Sequence, residues 1–243
     1  MEIPLEVQNL VAKVLINIRN HPKHEFGQTL RRELYTSLHK TAQGINCCKW
    51  LAILSAQRVV SIYEEQTLHW KEQGTAPDKI AWATKALAEG NEWAKEELVD
   101  DWKVAARMIE IAESVMDHSI STEYANQVLS VNYYATVGAF ALGGGLTEKG
   151  YLALLAAYNA LCETLDTVPL KSEGSDGIES TRQWEDHRLT AAGANADDAA
   201  VDAAFAFAGD IENRAYDTKK LKAFWEWWLT NAIPQAWEKA NHE

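Results

Sequence analysis

The reactive side chains of this 243-residue sequence fall into short clusters, and each cluster lacks something its chemistry requires. Asp197-Asp198-Ala-Ala-Val-Asp202 has the look of an aspartate-rich helix that holds magnesium against a diphosphate. Its third aspartate comes one residue late, no second acidic motif follows, and no group of Arg and Lys stands ready for the phosphates such sites need. His21, His24 and Glu25 crowd into five residues around Pro22, which places them on an interhelical loop, whereas zinc is held by ligands drawn from separated elements. Glu110 and Glu113 share a helical face, but Asp117-His118 does not complete the paired Glu-x-x-His of a di-iron bundle. Gly143-Gly144-Gly145 lacks the Gly-Lys-Ser/Thr ending of a phosphate loop and follows a helical pattern, so it reads as a turn. Cys47, Cys48 and Cys162 have no basic setting beyond Lys49 and are expected to be buried, inert thiols. The sequence therefore predicts no catalytic residues, no metal and no cofactor.

Helical periodicity runs from end to end. Glu6 to Arg19 repeats apolar residues at Val7, Leu10, Val11, Val14, Leu15 and Ile18, the spacing of one buried helical face, and His21-Pro22 ends it. Gln28 to Lys40 repeats Leu30, Leu34 and Leu38. A central helix is expected from Cys47 towards Trp70, capped by Asn46. Pro77-Asp78 starts another, and Asn91 to Asp117 reads as one long helix with Leu98, Trp102, Ala105, Ile109 and Ala112 inward. Ser121 and Thr122 precede an apolar stretch, Tyr124 to Leu142, that pairs across the glycines with Tyr151 to Leu165 as a central buried hairpin. Residues 169–177 read as a mobile, linker-like segment. Close-spaced alanines around 191–208 imply tight helix contacts, and a helix from Lys219 to His242 carries Trp225, Trp227, Trp228 and Trp237. No segment alternates as a strand does. The expectation is an all-α fold, a single domain over residues 1–243 with about eight to ten packed helices.

A content of 47% hydrophobic residues supplies a core without disulfides, and three cysteines, two of them adjacent, encode no disulfide framework. With no export signal and no uninterrupted apolar span of about 20 residues, a cytoplasmic protein is expected. The net charge of −12 is uneven: Lys and Arg outnumber acids seven to four over residues 1–50, while acids lead nine to four over 85–117 and eleven to three over 173–217. Such a field discourages nucleic acid and anionic membrane and favours cations or a basic protein partner. The expected contact surface is Glu92, Glu96, Asp100 and Asp101, continued by Glu110, Glu113 and Asp117, together with Asp197, Asp198 and Asp202. The competing expectation is a small-ligand binder or metal-dependent enzyme with a pocket near Trp50, Trp82, Trp93 and Trp102.

The order of features from Cys47 onward carries a family resemblance. The helix CKWLAILSAQRVVSIYEE leads to Pro77-Asp78-Lys79-Ile80-Ala81-Trp82-Ala83, then a long helix, then an Ala-rich hairpin around Leu152 to Leu165. Over roughly residues 45–165 this resembles the all-helical immunity proteins of bacterial polymorphic toxin systems, the immunity-protein-five-like group. What the resemblance implies is binding and neutralisation of a cognate toxin encoded nearby.

Overall fold

The computed structural model describes residues 2–73, 103–129, 147–166, 191–209 and 216–242, and every structural statement below concerns these residues. They are all-α, with no strand among them. In chain order the helices are α1 (Leu5–Asn20), α2 (Gln28–His39), α3 (Gly44–Gln57), α4 (Val60–Gln73), α5 (Val104–Met116), α6 (Glu148–Thr164), α7 (Ala191–Ala208), α8 (Thr218–Trp227) and α9 (Ile233–Ala240), with a further helical run at 122–129.

The periodicities place the faces correctly. Val7, Leu10, Val14 and Ile18 of α1 are buried, as are Leu34 and Leu38 of α2 and Ala105, Ile109 and Ala112 of α5. α3 and α6 form the centre of the molecule, because a helix apolar on most of its faces must be surrounded. α6 lies against α7, α5, α3 and α4, while α3 also meets α7, α9 and α2. Ala196, Ala199, Ala200, Ala203 and Ala204 of α7 are fully buried, and α6 and α7 form the most extensive helix contact. Small side chains permit that close approach of backbones. The second limb of the expected hairpin is thus a buried central helix. Of its first limb, residues 124–129 are helical with Ala125, Val128 and Leu129 buried, and the remainder lies outside the described residues, as do the turn at 143–145 and the segment 169–177.

Two boundaries differ from the periodic reading. The central helix starts at Gly44 rather than at an Asn46 cap, because α2 and α3 meet in a turn so tight that a Cβ on residue 44 would stand 1.9 Å from the Leu38 carbonyl oxygen. It then breaks at Arg58-Val59, where the Val59 N–H donates to Ala56 O, three residues back. That turn carries the Arg58 guanidinium over Phe207 and Trp227, at 5.5 and 5.0 Å from the ring centroids. Of the long helix expected from Asn91, the part before Lys103 lies outside the described residues, and the described part is α5, which begins at Val104.

The C-terminal helix is interrupted by a π turn, Trp228–Ala232. Pro234 follows, and a proline has no N–H for the carbonyl four residues back and collides with it. A wider turn ahead of the ring, with Ile233 N–H donating to Trp228 O, absorbs the mismatch. The indole of Trp228 is buried, and its Nε1 donates to Ser55 Oγ at 3.0 Å. The Ser55 hydroxyl in turn donates a hydrogen bond to Leu51 O at 2.7 Å. Phe26 packs edge-on to Trp225 and Tyr35 edge-on to Trp228, so these tail tryptophans lock the N-terminal helices to the core. Among the described residues no helix is long and apolar enough to cross a membrane.

Candidate functional site

The acids expected to meet a partner separate by environment. On α5 the inward face is core, and the opposite row carries Glu110 and Asp117 exposed and Glu113 half-buried. These positions are three and four apart, which puts them on one side of the helix. Arg107 reaches Glu110 at 3.3 Å and Gln57 Nε2 donates to Glu113 at 2.9 Å. α4 packs against α5 and adds exposed Glu64 and Glu65. Glu92, Glu96, Asp100 and Asp101, the other acids expected here, lie outside the described residues.

The aspartates of α7 are placed differently. Asp202 is 1% exposed and accepts a hydrogen bond from Asn159 Nδ2 at 3.0 Å. A carboxylate sealed between α6 and α7 cannot touch a partner, so Asp202 is corrected from a surface contact to an interior one. Asp197 is engaged in a fork with Arg31, Nε to Oδ1 at 2.6 Å and Nη2 to Oδ2 at 3.2 Å, with about 15% of each side chain exposed. Arg31 Nη1 also donates to the Phe26 carbonyl. This bidentate geometry clamps α7 to the loop and helix that follow α1. Asp198 is half-buried. The aspartate-rich run thus serves the packing of α7, and no group of three or more His, Cys, Asp or Glu among the described residues could hold a metal ion.

Other candidates are also absorbed into structure. His21 Nδ1 faces the N–H groups of Lys23 and Glu25, and His24 Nδ1 lies 2.9 Å from Ile18 O, so both imidazoles organise the turn after α1. Cys47, Cys48 and Cys162 are buried. Burial pushes the Cys47 thiol up to about 12, and burial also raises that of Cys48 well above its ordinary value, with the neighbouring Cys47 and Glu163 adding to it. Neither is a nucleophile at neutral pH. Trp50 is buried beneath the Lys239 ammonium, 4.0 Å from its ring centroid, while Trp82, Trp93 and Trp102 lie outside the described residues. A cleft of about 170 Å³ opens beside Glu25, Phe26, Arg31, Phe205 and Trp225, smaller than the ~300–1,000 Å³ usual for ligand pockets.

One polar junction escaped the sequence reading. Glu163, the penultimate residue of α6, is 1% exposed, yet it sits in an apolar run of alanine and leucine. Its Oε1 accepts from Gly193 N at 2.7 Å and its Oε2 from Ala196 N at 3.2 Å, so it caps the first turn of α7 from another helix. Gly193 has φ of 100°, and a Cβ there would lie 2.8 Å from His39 Nε2. Tyr35 Oη and His39 Nε2 are buried without hydrogen-bond partners. Burial raises the Tyr35 hydroxyl well above its usual range and lowers the His39 imidazole. Burial also pushes Glu163 up to about 7, against the pull of the two backbone N–H groups. No known protein family's sequence profile matches this chain, and no curated protein matches its sequence.

Proposed function

We propose that the protein acts by binding: an immunity-type protein that neutralises a cognate bacterial toxin by presenting an acidic helical surface to a basic face of that toxin. The observation that supports this most is the outer row of α5, where Glu110, Glu113 and Asp117 stand opposite a fully packed inner face. Glu64 and Glu65 on the adjoining α4 extend it. Like charges three or four residues apart cost a helix a few tenths of a kcal/mol each, so the row finds its reason in a partner. Glu92, Glu96, Asp100 and Asp101 precede it in sequence and continue the same charge. A basic toxin cleft built to hold phosphates would be steered to such a surface and blocked by it. The protein works in the cytoplasm on this reading, and needs no cofactor.

The metal-dependent alternative gains nothing from the described residues, since their buried acids are occupied by Arg31, Asn159 and the α7 backbone. The experiment is to purify the toxin domain encoded beside this chain's gene and titrate the two calorimetrically at low and at physiological salt. Tight binding that weakens as salt rises, with rescue of cells producing the toxin, supports the reading. Absence of binding at either salt overturns it.

A further inference from the structure

α1 is apolar on two opposite sides. Its inner side, Val7, Leu10, Val14 and Ile18, is buried, with α2 and α8 as neighbours. Successive residues turn by about 100° around a helix, so Leu5, Ala12 and Ile16 fall on one line along the opposite side. All three are exposed, and Leu5 and Ile16, at 70% and 61%, are the two most exposed large hydrophobic side chains among the described residues. Single exposed apolar residues are ordinary, but these three align along one helix with the uncharged Gln8, Asn9 and Asn20 beside them. The charged residues of α1 lie off this line and turn to neighbouring helices: Glu6 to Lys40 at 3.7 Å, Lys13 to Glu33 at 3.0 Å and Arg19 to Glu226 at 2.8 Å.

We infer that the outer line of α1 is the contact of a homodimer, in which α1 of one copy packs antiparallel on α1 of a second. The line is self-complementary in that direction, as a two-fold contact requires. An axis passing between Leu10 and Val11 sets Leu5 opposite the second copy's Ile16 and brings the short side chains of Asn9 and Ala12 to the centre, where the helices come closest. Charge selects the direction. Glu6 and Lys13 lie on the same flank of the line, about two turns apart. In the antiparallel pair each Glu6 stands within ~3 Å, along the axis, of the second copy's Lys13. The ion pairs of the two copies then join into alternating rows of Lys40, Glu6, Lys13 and Glu33. A parallel pair would instead set Glu6 against Glu6 and Lys13 against Lys13, which repel. These mixed signs suit a second copy better than an anionic membrane, for which an interfacial helix carries a mainly basic flank. One helix face is smaller than the ~800 Å² per partner of a standard interface, so the dimer is weak, with an affinity poorer than about 1 µM. The dimer uses α1 and the toxin-binding reading uses α5, and either can fail without the other.

The test is sedimentation equilibrium of the full chain from about 10 µM to about 1 mM, the range in which so small an interface assembles. The mean mass should rise from that of one chain towards that of two. Ile16→Glu, at an exposed position, should keep its melting temperature and stay monomeric throughout. Glu6→Lys and Lys13→Glu should each dimerise about tenfold more weakly, and an equimolar mixture of the two should recover, because every cross pair again joins opposite charges. The direction is read with Leu5→Cys and Ile16→Cys, since the three native cysteines are buried. Under mild oxidation a mixture of those two variants should cross-link faster than either alone. A wild type that stays monomeric over the whole range overturns the inference, as does an Ile16→Glu protein that dimerises like the wild type. Faster cross-linking of Leu5→Cys with itself than with Ile16→Cys defeats the antiparallel pair.

Discussion

Asp197 separates the two roles that acids play in this protein. In Asp197→Ala the Arg31 guanidinium keeps its bond to the Phe26 carbonyl but loses both carboxylate oxygens, at 2.6 and 3.2 Å, in a site where about 15% of either side chain is exposed. Removing one partner of a fully buried pair costs about 3–5 kcal/mol, because the remaining charge is left without compensation. The residual exposure lets water reach Arg31, which lowers the expected cost to roughly 2–4 kcal/mol. For a chain of this size that corresponds to a fall in Tm of roughly 5–12 °C. Urea unfolding at pH 7 measures the free energy, and scanning calorimetry the temperature. The double replacement Arg31→Met, Asp197→Leu should recover most of the loss, since apolar residues of similar volume commonly match a buried pair. An Asp197→Ala protein within 0.5 kcal/mol of wild type would refute the claim that Asp197 is structural and return it to the list of partner contacts.

Glu163→Gln tests the buried acid through stability. A carboxyl whose folded-state pKa is raised to about 7 binds its proton more tightly in the native state, so its contribution is full below the unfolded value near 4.5 and is lost as pH rises to about 7. The wild type should therefore lose about 1.4 kcal/mol per pH unit from this group across that window, offset in part by His39, whose lowered pKa gives the opposite slope below 6.5. The difference between variant and wild type, followed by urea unfolding from pH 5 to 8, should change steadily in the variant's favour, and a constant difference would count against the assignment. Glycine positions supply a steric pair. Gly44→Ala drives a methyl into the Leu38 carbonyl and should cost several kcal/mol, whereas Gly27→Ala meets nothing within 4 Å and should change stability by less than about 1 kcal/mol. Similar melting temperatures for those two variants would show that the α2–α3 turn is looser than described.

The fold was legible wherever burial follows a helical period. α1, α2 and α5 bury Val7, Leu10, Val14, Ile18, Leu34, Leu38, Ala105, Ile109 and Ala112 as the spacing selects, with Val11, Leu15 and Leu30 partly buried, and the alanine run of α7 announced its own close packing. Breaks were harder to see. Nothing in the stretch Ala56-Gln57-Arg58-Val59-Val60 marks a turn, because the break is rewarded from a distance, by the stacking of Arg58 on Phe207 and Trp227. The π turn had a local signal in Pro234, an interior proline that no regular helix accommodates. The site was read by charge, and charge does not reveal burial. Asp197 and Asp202 look alike in sequence to Glu110 and Asp117, yet the first two are held by Arg31 and Asn159 and the last two face solvent. Their alanine neighbours were the clue, for an aspartate in a helix buried on most sides is itself enclosed. Glu163 carried the same signal, a single acid among Leu152 to Leu165.

The central claim is that the acids on the outer face around α5 bind a basic partner without stabilising the fold. It is tested most directly by reversing Glu110 and Asp117 to lysine in one variant and, in another, Glu96, Asp100 and Asp101, which lie outside the described residues, and titrating each against the proposed cognate toxin. Glu110 and Asp117 are exposed, and exposed charges contribute about 0–1 kcal/mol to folding, so that variant should melt close to the wild type. The affinity of both variants for the toxin should fall by at least tenfold, the salt dependence of binding should shrink, and cells should lose protection. Unchanged affinity and intact protection in both variants would contradict the account and leave the acidic row as a solvated surface.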